Sequence, residues 1–348
     1  MAPTAAIRAG LSLLNTSQST TCAPSSAFVT LVANESYVHG AVCLQTSLRR
    51  VHSACPLILV VADPLPAEAM TQLSAAFTDV IQLSELRQRL DRYEQRQLAR
   101  KTQAEHEANA FGGARRLAAV KAQGPIRSTR QLTRAGGWAR RTHQKLLLFA
   151  LKGYRKAAFL DIDMLILRNI DALLEQPAFS AVAALPYTTS SFNSGVFVFE
   201  PSLPTAAVLD DLSQRATFKP VGHAVAGGTS QIRIRGYGER FALSDQSILN
   251  HHYRGVWRPL PFGYNLGVKV RQVNPKLWHQ VELAVVHYVH RPKPWEASLA
   301  DADSPMSLLT RKLGIDGLVR AWRWRCGISG EARWNVSRTA EEQALWGT

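Results

Sequence analysis

Asp161 and Asp163 stand one residue apart at the end of the apolar run 157–160, with Met164, Leu165, Ile166 and Leu167 directly behind them. An apolar run this short, following Gly153, is expected to be a buried strand. Side chains alternate along a strand, so both carboxylates would point to one side. Like charges that close repel, and either a hard divalent cation with oxygen ligands or a shared proton would neutralise them. An edge strand with one solvated face is the bland alternative, so the pair needs support from elsewhere in the chain. His287, at the end of the apolar run 284–286, could supply a nitrogen, although a lone histidine after a strand is more often a structural residue. Two carboxylates and one imidazole suit manganese better than calcium or a structural zinc. Lys293, held between Pro292 and Pro294, would bring a cation to a metal-bound diphosphate, where leaving-group charge develops. Together these residues describe a nucleotide-diphosphate site.

The elements that must position them follow from the apolar pattern. Residues 27–32 form a β-branched and aromatic run ending at Asn34, and Tyr37 to Arg50 has helical periodicity. A second strand is expected at Leu57–Val61, a helix at Ala67–Phe77 and a third strand at Val80–Leu83. Strands and helices alternating at this spacing mean parallel β-α-β units in an α/β fold, whose ligands bind at the carboxyl ends of the strands. Those ends are Asn34, Asp63 and Ser84. Further on, Gln144–Lys152 reads as a Leu-rich helix capped by Gly153, and Phe192–Phe199 as a strand entered through Asn193, Ser194 and Gly195. Glycine there permits close backbone approach to a ligand. Ser244 is the expected N-cap of a helix that carries Asp245 and Gln246 in its first turn. Thr217–Phe241 is Gly-rich and basic, a second insertion or loop.

Composition adds a constraint. The 348 residues carry 41 Lys and Arg against 26 Asp and Glu, a net charge of +15. That balance admits nucleic acid, an anionic surface or a phosphorylated substrate as partner. Much of the excess lies in 86–141, where fourteen basic residues face four acidic ones. The segment is either an anion-binding arm or a solvated insertion, broken at Gly112-Gly113, Gly124-Pro125 and Gly136-Gly137. Residues 1–24 are expected to be a disordered leader, 25–300 the folded domain around that insertion, and 301–348 a C-terminal extension. Cys22, Cys43, Cys55 and Cys326 show no Cys-x-x-Cys spacing, which suggests neither zinc nor a dense disulfide framework. A reducing, cytoplasmic location is therefore expected, with a Golgi-associated one as the alternative.

Six blocks occur in order: 27–31 with Asn34 and Tyr37, Phe159–Asp163, Phe192–Val198, Asp245–Asn250, Leu260–Leu266, and His287 through Lys293-Pro294-Trp295. In them the chain resembles the glycogenin-type retaining glycosyltransferases, a family that also includes galactinol synthases and plant cell-wall glucuronosyltransferases. The resemblance implies a single Rossmann-like nucleotide-sugar domain of GT-A type with a mostly parallel sheet. It implies that Leu31, Asn34 and Tyr37 hold the base and ribose, and that Asp161, Asp163 and His287 bind Mn2+ with the donor diphosphate. Lys293 and Lys145 would touch the phosphates; Asn193, Asp245 and Gln246 would hold the sugar hydroxyls.

The departures from that family pattern matter as well. His290 stands where the family has glycine, and Ser190 and Ser191 stand where glycogenins carry an aspartate near the sugar. Residues 266–280 contain no tyrosine, where a self-glucosylating glycogenin presents its acceptor. The expected activity is thus a manganese-dependent, retaining transfer of a hexose from a UDP-sugar to an external carbohydrate, polyol or lipid. Asp245 would either form a covalent intermediate or orient the sugar. The competing class is a basic nucleic-acid or membrane-surface binding protein on a degenerate transferase fold, against which the intact Asp161, Asp163, His287 and Lys293 speak.

Overall fold

Short apolar runs alternating with amphipathic ones yield two sheets in the computed structural model, which describes residues 10, 12, 14, 21–62, 65–110, 143–185, 190–215, 244–289, 293–296, 308 and 316–326. In chain order the elements begin with β1 Ser26–Val32, α1 Val38–Arg50, β2 Leu57–Val61, α2 Ala67–Ala76, β3 Val80–Gln82 and α3 Leu83–Ala110. Next come β4 Lys156–Leu160, β5 Met164–Ile166, β6 Ser180–Ala183, β7 Phe192–Phe199, α4 Leu203–Arg215 and α5 Asp245–His252. The last are β8 Arg258–Leu260, β9 Leu266–Gly267, α6 Lys269–Val273, α7 Pro275–Gln280, β10 Val285–His287 and α8 Asp316–Cys326. The chain divides into two compact units, one of residues 1–82, 153–200 and 252–348, the other of 83–152 and 201–251.

The first unit holds both sheets. Seven strands run in the order β3-β2-β1-β4-β7-β6-β8, and β5-β10-β9 form a smaller sheet. Pairings β1–β2, β2–β3, β1–β4 and β6–β8 are parallel, while β7 is antiparallel to β4 and β6. The fold is therefore α/β with a mostly parallel central sheet, as the spacing of the first three strands requires. β2 is buried at every residue, which is why it reads as an unbroken Leu/Ile/Val run without alternation. Strand order reverses at β1: β2 and β3 build outward on one side and β4 on the other. A reversal of this kind opens a crevice at the carboxyl ends of the two strands beside it, the position where open α/β sheets place ligands.

The segment after β4 differs from the expected single strand. Leu160 ends β4, and Asp161-Ile162-Asp163 form a turn into β5, which belongs to the smaller sheet. The turn is pinned at both ends, since Asp161 N donates to Gly195 O at 2.8 Å and Tyr288 N donates to Asp163 O at 2.8 Å. Ile162, only 5% exposed, drops into the core and stops the chain from continuing straight. The carboxylates share a side because of this turn and not because of strand alternation.

Other differences have similar origins. The segment before Pro24, expected to be free of the fold, has Gly10 O accepting from Phe262 N at 2.8 Å, Leu14 packed on the core and Cys22 bonded to Cys55. A second disulfide joins Cys43 to Cys326, so all four cysteines are paired, where the sequence spacing suggested no dense disulfide framework and a reducing location. The partners lie 33 and 283 residues apart, separations that no local motif reveals. α8 lies in the C-terminal extension and buries Leu318, Val319 and Trp322, while Leu318 O accepts from the Tyr288 hydroxyl at 2.7 Å. Burying side chains of that size is worth about 1.5–3 kcal/mol each.

In the second unit, the expected helix before the metal strand is a 3-10 helix, Gln144–Ala150, buried along Lys145–Ala150. With apolar side chains on every side it has no solvent face to complete an amphipathic α-helix. α3 begins inside the basic segment. Its Leu86 and Leu90, one turn apart, are buried; Arg87 makes a two-pronged contact with Asp210 of α4 at 2.6 and 2.9 Å, and Arg89 donates to Ala150 O at 2.6 Å. The opening of 86–141 thus contributes core, contrary to an insertion that merely bridges its flanks. From Gln95 to Ala104 the helix is exposed, and residues 111–141 lie outside those described, as do His290, residues 217–241 and Asp63. Among the described residues no helix is long and apolar enough to cross a membrane.

Candidate functional site

The turn after β4 meets the end of β10. In the β5–β10 ladder Met164 pairs with His287, which carries the imidazole to the two carboxylates. One ligand atom each from Asp161, Asp163 and His287 lies within 4.8 Å of the others. His287 Nε2 is 3.0 Å from Asp163 Oδ1 and 4.0 Å from Asp161 Oδ2. At 4.8 Å and an effective dielectric near 20, two unit charges repel by about 3.5 kcal/mol. That is a large fraction of a domain's net stability of about 5–15 kcal/mol, so the carboxylates need cationic company.

Lys293 supplies part of it. The sequence reading assigned this residue to phosphate; the structure places its ammonium on Asp163 Oδ2 at 2.5 Å, with further donation to the carbonyls of Tyr288 and Val289 at 2.7 and 3.0 Å. Burial pushes the Asp163 carboxyl up, but the His287 ring and the Lys293 ammonium together outweigh it and hold the group well below the ordinary carboxylate range. Asp163 is therefore an anion at neutral pH with its two oxygens divided, Oδ2 toward lysine and Oδ1 toward the imidazole. Among these three side chains alone, two carboxylates and one ammonium carry a net negative charge. This donor set of carboxylate oxygens and one ring nitrogen fits a divalent cation of intermediate hardness.

The other wall of the crevice comes from the end of β1. Asn34 is the N-cap of a short 3-10 helix, its Oδ1 accepting from Ser36 N at 3.1 Å. Tyr37 sets its ring edge-on to Trp295 with centroids 5.8 Å apart, and Trp295 Nε1 donates to Ser36 O at 2.7 Å. A Cβ on Gly40 would lie 2.8 Å from the Trp295 ring and 3.0 Å from Ile162 O, so only glycine lets α1 approach both this ring and the carboxylate turn. Trp295 also packs on Trp322 of α8. Leu31 is half-buried in β1. Trp295 and Asn265 went unassigned in the sequence reading; both stand in recognisable blocks, Lys-Pro-Trp and Tyr-Asn-Leu, but nothing in those blocks states whom they touch.

Asn193 sits at the entry of β7 with Oδ1 accepting from Gly195 N at 2.9 Å and from Asn265 Nδ2 at 2.8 Å. Asn265 Oδ1 in turn lies 2.7 Å from His287 Nδ1. Four of the predicted site residues, Asp161, Asp163, His287 and Lys293, thus form one cluster, with Asn193 tied to it through Asn265. Lys145, Asp245 and Gln246 belong to the second unit. There Ser244 caps α5 as expected, its Oγ accepting from Ser247 N at 3.3 Å, and Lys145 Nζ pairs with Asp245 Oδ2 at 2.9 Å, both side chains buried.

Comparison with known proteins gives a consistent result. The chain is 30% identical to mouse (Mus musculus) glycogenin-1 over 278 residues, covering 77% of this chain and 65% of that protein. By sequence, the chain is similar to the glycogenins and galactinol synthases. Galactinol synthase 1 of Solanum lycopersicum is 23% identical over 314 residues, covering 82% of this chain and 78% of that one. A putative UDP-glucuronate:xylan alpha-glucuronosyltransferase 3 of Arabidopsis thaliana is 46% identical over 195 residues, 56% of this chain and 24% of that one. The chain spans about half to two thirds of the length of the human and mouse glycogenins it matches. No protein-family model matches it.

Proposed function

We propose that the protein is a glycosyltransferase that moves a hexose from a UDP-sugar to an external acceptor, with retention of configuration and with Mn2+ bound by Asp161, Asp163 and His287. The observation that carries this is the convergence of those three side chains at the strand-order reversal beside β1. A divalent cation held there supplies charge stabilisation to a departing diphosphate. Added to two carboxylates and one ammonium, it turns the local charge positive, which suits an anionic ligand and not a second cation.

The protein's own groups then have distinct tasks. Asp163 is kept ionised by His287 and Lys293, so no proton must be lost before a cation is held. Tyr37 and Trp295 supply an aromatic edge for a nucleoside, with Asn34 at the carboxyl end of β1. Asn193 offers its amide at the entry of β7 for a sugar hydroxyl. For Lys145, Asp245 and Gln246 the proposal keeps the roles that the resemblance implies, phosphate for the lysine and sugar for the acid and amide. The relatives named above support the class of reaction. Absence of tyrosine from 266–280 favours an acceptor other than the chain itself. The two disulfides favour the oxidising, Golgi-associated location over the cytoplasmic one.

A panel of UDP-sugars assayed for hydrolysis and transfer with Mn2+ tests the proposal. Turnover should require the metal, stop with chelator, and give a product of unchanged anomeric configuration by NMR. Turnover in the presence of chelator, or an inverted product, would sink it. Retention on an anionic column without turnover of any sugar nucleotide would favour a binding protein instead.

A further inference from the structure

The hydrogen bonds behind His287 fix which of its nitrogens carries the proton. Gly195 N is a backbone donor, so the Asn193 atom it meets at 2.9 Å must be the amide oxygen. That oxygen also faces Asn265 at 2.8 Å, so Asn265 must present its NH2 group there. Its own oxygen then points at His287 Nδ1, 2.7 Å away, and an oxygen can only accept. Nδ1 must therefore carry a proton. Nε2, 3.0 Å from Asp163 Oδ1, is then the ring nitrogen that can turn a lone pair to a cation. Each inference rests on the chemistry of the preceding donor, and the first donor is a peptide N–H that has no alternative.

We infer that Asn265 is a positioning residue that sets the tautomer of His287 and so presents Nε2 as a ligand. The inference rests on the metal reading above for its use but not for its geometry. Without Asn265 the ring has a competing option, because Nε2–H could donate to Asp163 Oδ1 at 3.0 Å, which would block the ligating nitrogen. Gly195 is part of the same device: a Cβ there would come within 2.5 Å of His287 Cε1 and 2.8 Å of Asn193 Oδ1, displacing the ring and the relay together. Groups that orient a ligating histidine through its second nitrogen change metal affinity by about 10–100-fold when removed.

The test uses the full chain labelled with 15N at histidine, stripped of metal, at pH 8. Long-range proton–nitrogen correlation reads the tautomer, and titration with Mn2+ followed by the EPR signal of the free ion reads affinity. In the wild type, His287 should show a proton on Nδ1. Asn265→Leu should shift the ring toward Nε2–H and weaken Mn2+ binding by about 10–100-fold. Asn265→Asp gives up the donation to Asn193 Oδ1 but keeps an oxygen against Nδ1, and should retain both the tautomer and the affinity to within a few-fold. An unprotonated Nδ1 in the wild type overturns the inference, as does Asn265→Leu with wild-type tautomer and affinity. Equal loss of affinity in both variants with the tautomer unmoved would mean a merely structural role and also overturns it. Should Asn265→Leu not fold, the tautomers of the wild type and Asn265→Asp decide. A wild type that shows Nδ1–H yet takes up no Mn2+ would end the metal reading while supporting the relay.

Discussion

Two buried clusters of charge, one in each unit, are built on different arithmetic. In the second unit Lys145 meets Asp245, one cation to one anion, 2.9 Å apart. In the first unit Asp161 and Asp163, two carboxylates, gather with the Lys293 ammonium and the His287 ring. A balanced pair satisfies itself once buried; an unbalanced cluster is stable only to the extent that something else brings positive charge. The difference separates a cluster that suits a cation from one that does not.

Breaking the anion at the centre of the unbalanced cluster should have the largest effect. Asp163→Ala leaves the Lys293 ammonium buried, 4% exposed, with carbonyls alone, and should cost about 3–5 kcal/mol in urea denaturation. Metal-dependent turnover should fall to background. The sign of the pH dependence follows from the depressed carboxyl. Its contribution is fully present above the unfolded value near 3.9 and is lost as pH falls through the lower folded one, so the gap between wild type and Asp163→Ala should close only below about pH 4. A gap that closes near neutral pH would show that Asp163 is not the anion described.

Lys145→Met breaks the balanced pair. It should destabilise by about 3 kcal/mol, because Asp245 stays buried without its ammonium, yet leave Mn2+ affinity at the wild-type value. Weaker Mn2+ binding in this variant would erase the distinction between the two clusters. Adding Mn2+ at a hundred times its dissociation constant should stabilise the wild type by about 2.7 kcal/mol and leave Asp161→Asn nearly unmoved, as read by thermal melting. Equal stabilisation of both proteins would place the cation elsewhere. Smallest of all should be Arg87→Met. Its contact with Asp210 is well formed but the arginine side chain is 38% exposed, so solvent screens the pair and the loss should stay near 1 kcal/mol or below. A cost equal to that of Lys145→Met would mean that pairing, and not burial, governs these ions.

Much of the framework was legible in the chain. β2 and β7 were found within a residue of their ends, because unbroken β-branched and aromatic runs between turn residues admit little else. Ser244 announced α5 by its capping chemistry alone. Asp161, Asp163 and His287 were selected by residue type at strand ends, and the fold does gather them. The carboxylate turn was mistaken for a strand because Ile162 and Met164 look alike in an apolar pattern, while one enters the core and the other a new sheet. The basic opening of α3 was taken as coreless because its two buried leucines are outnumbered by arginines that bind protein oxygens.

The sequence by itself determined which segments are strands, where polar residues interrupt them, and that an excess of ligating groups gathers at their ends. Those properties are set by local periodicity and local hydrogen bonding. Only the tertiary structure decided who partners whom: Lys293 with Asp163 across 130 residues, Asn265 with Asn193 across 72, and Cys43 with Cys326 across 283. The proton position on His287 belongs to that second class. It is imposed by a peptide N–H on another strand through two amide side chains, and no spacing in the chain encodes a donor's direction until the strands have packed.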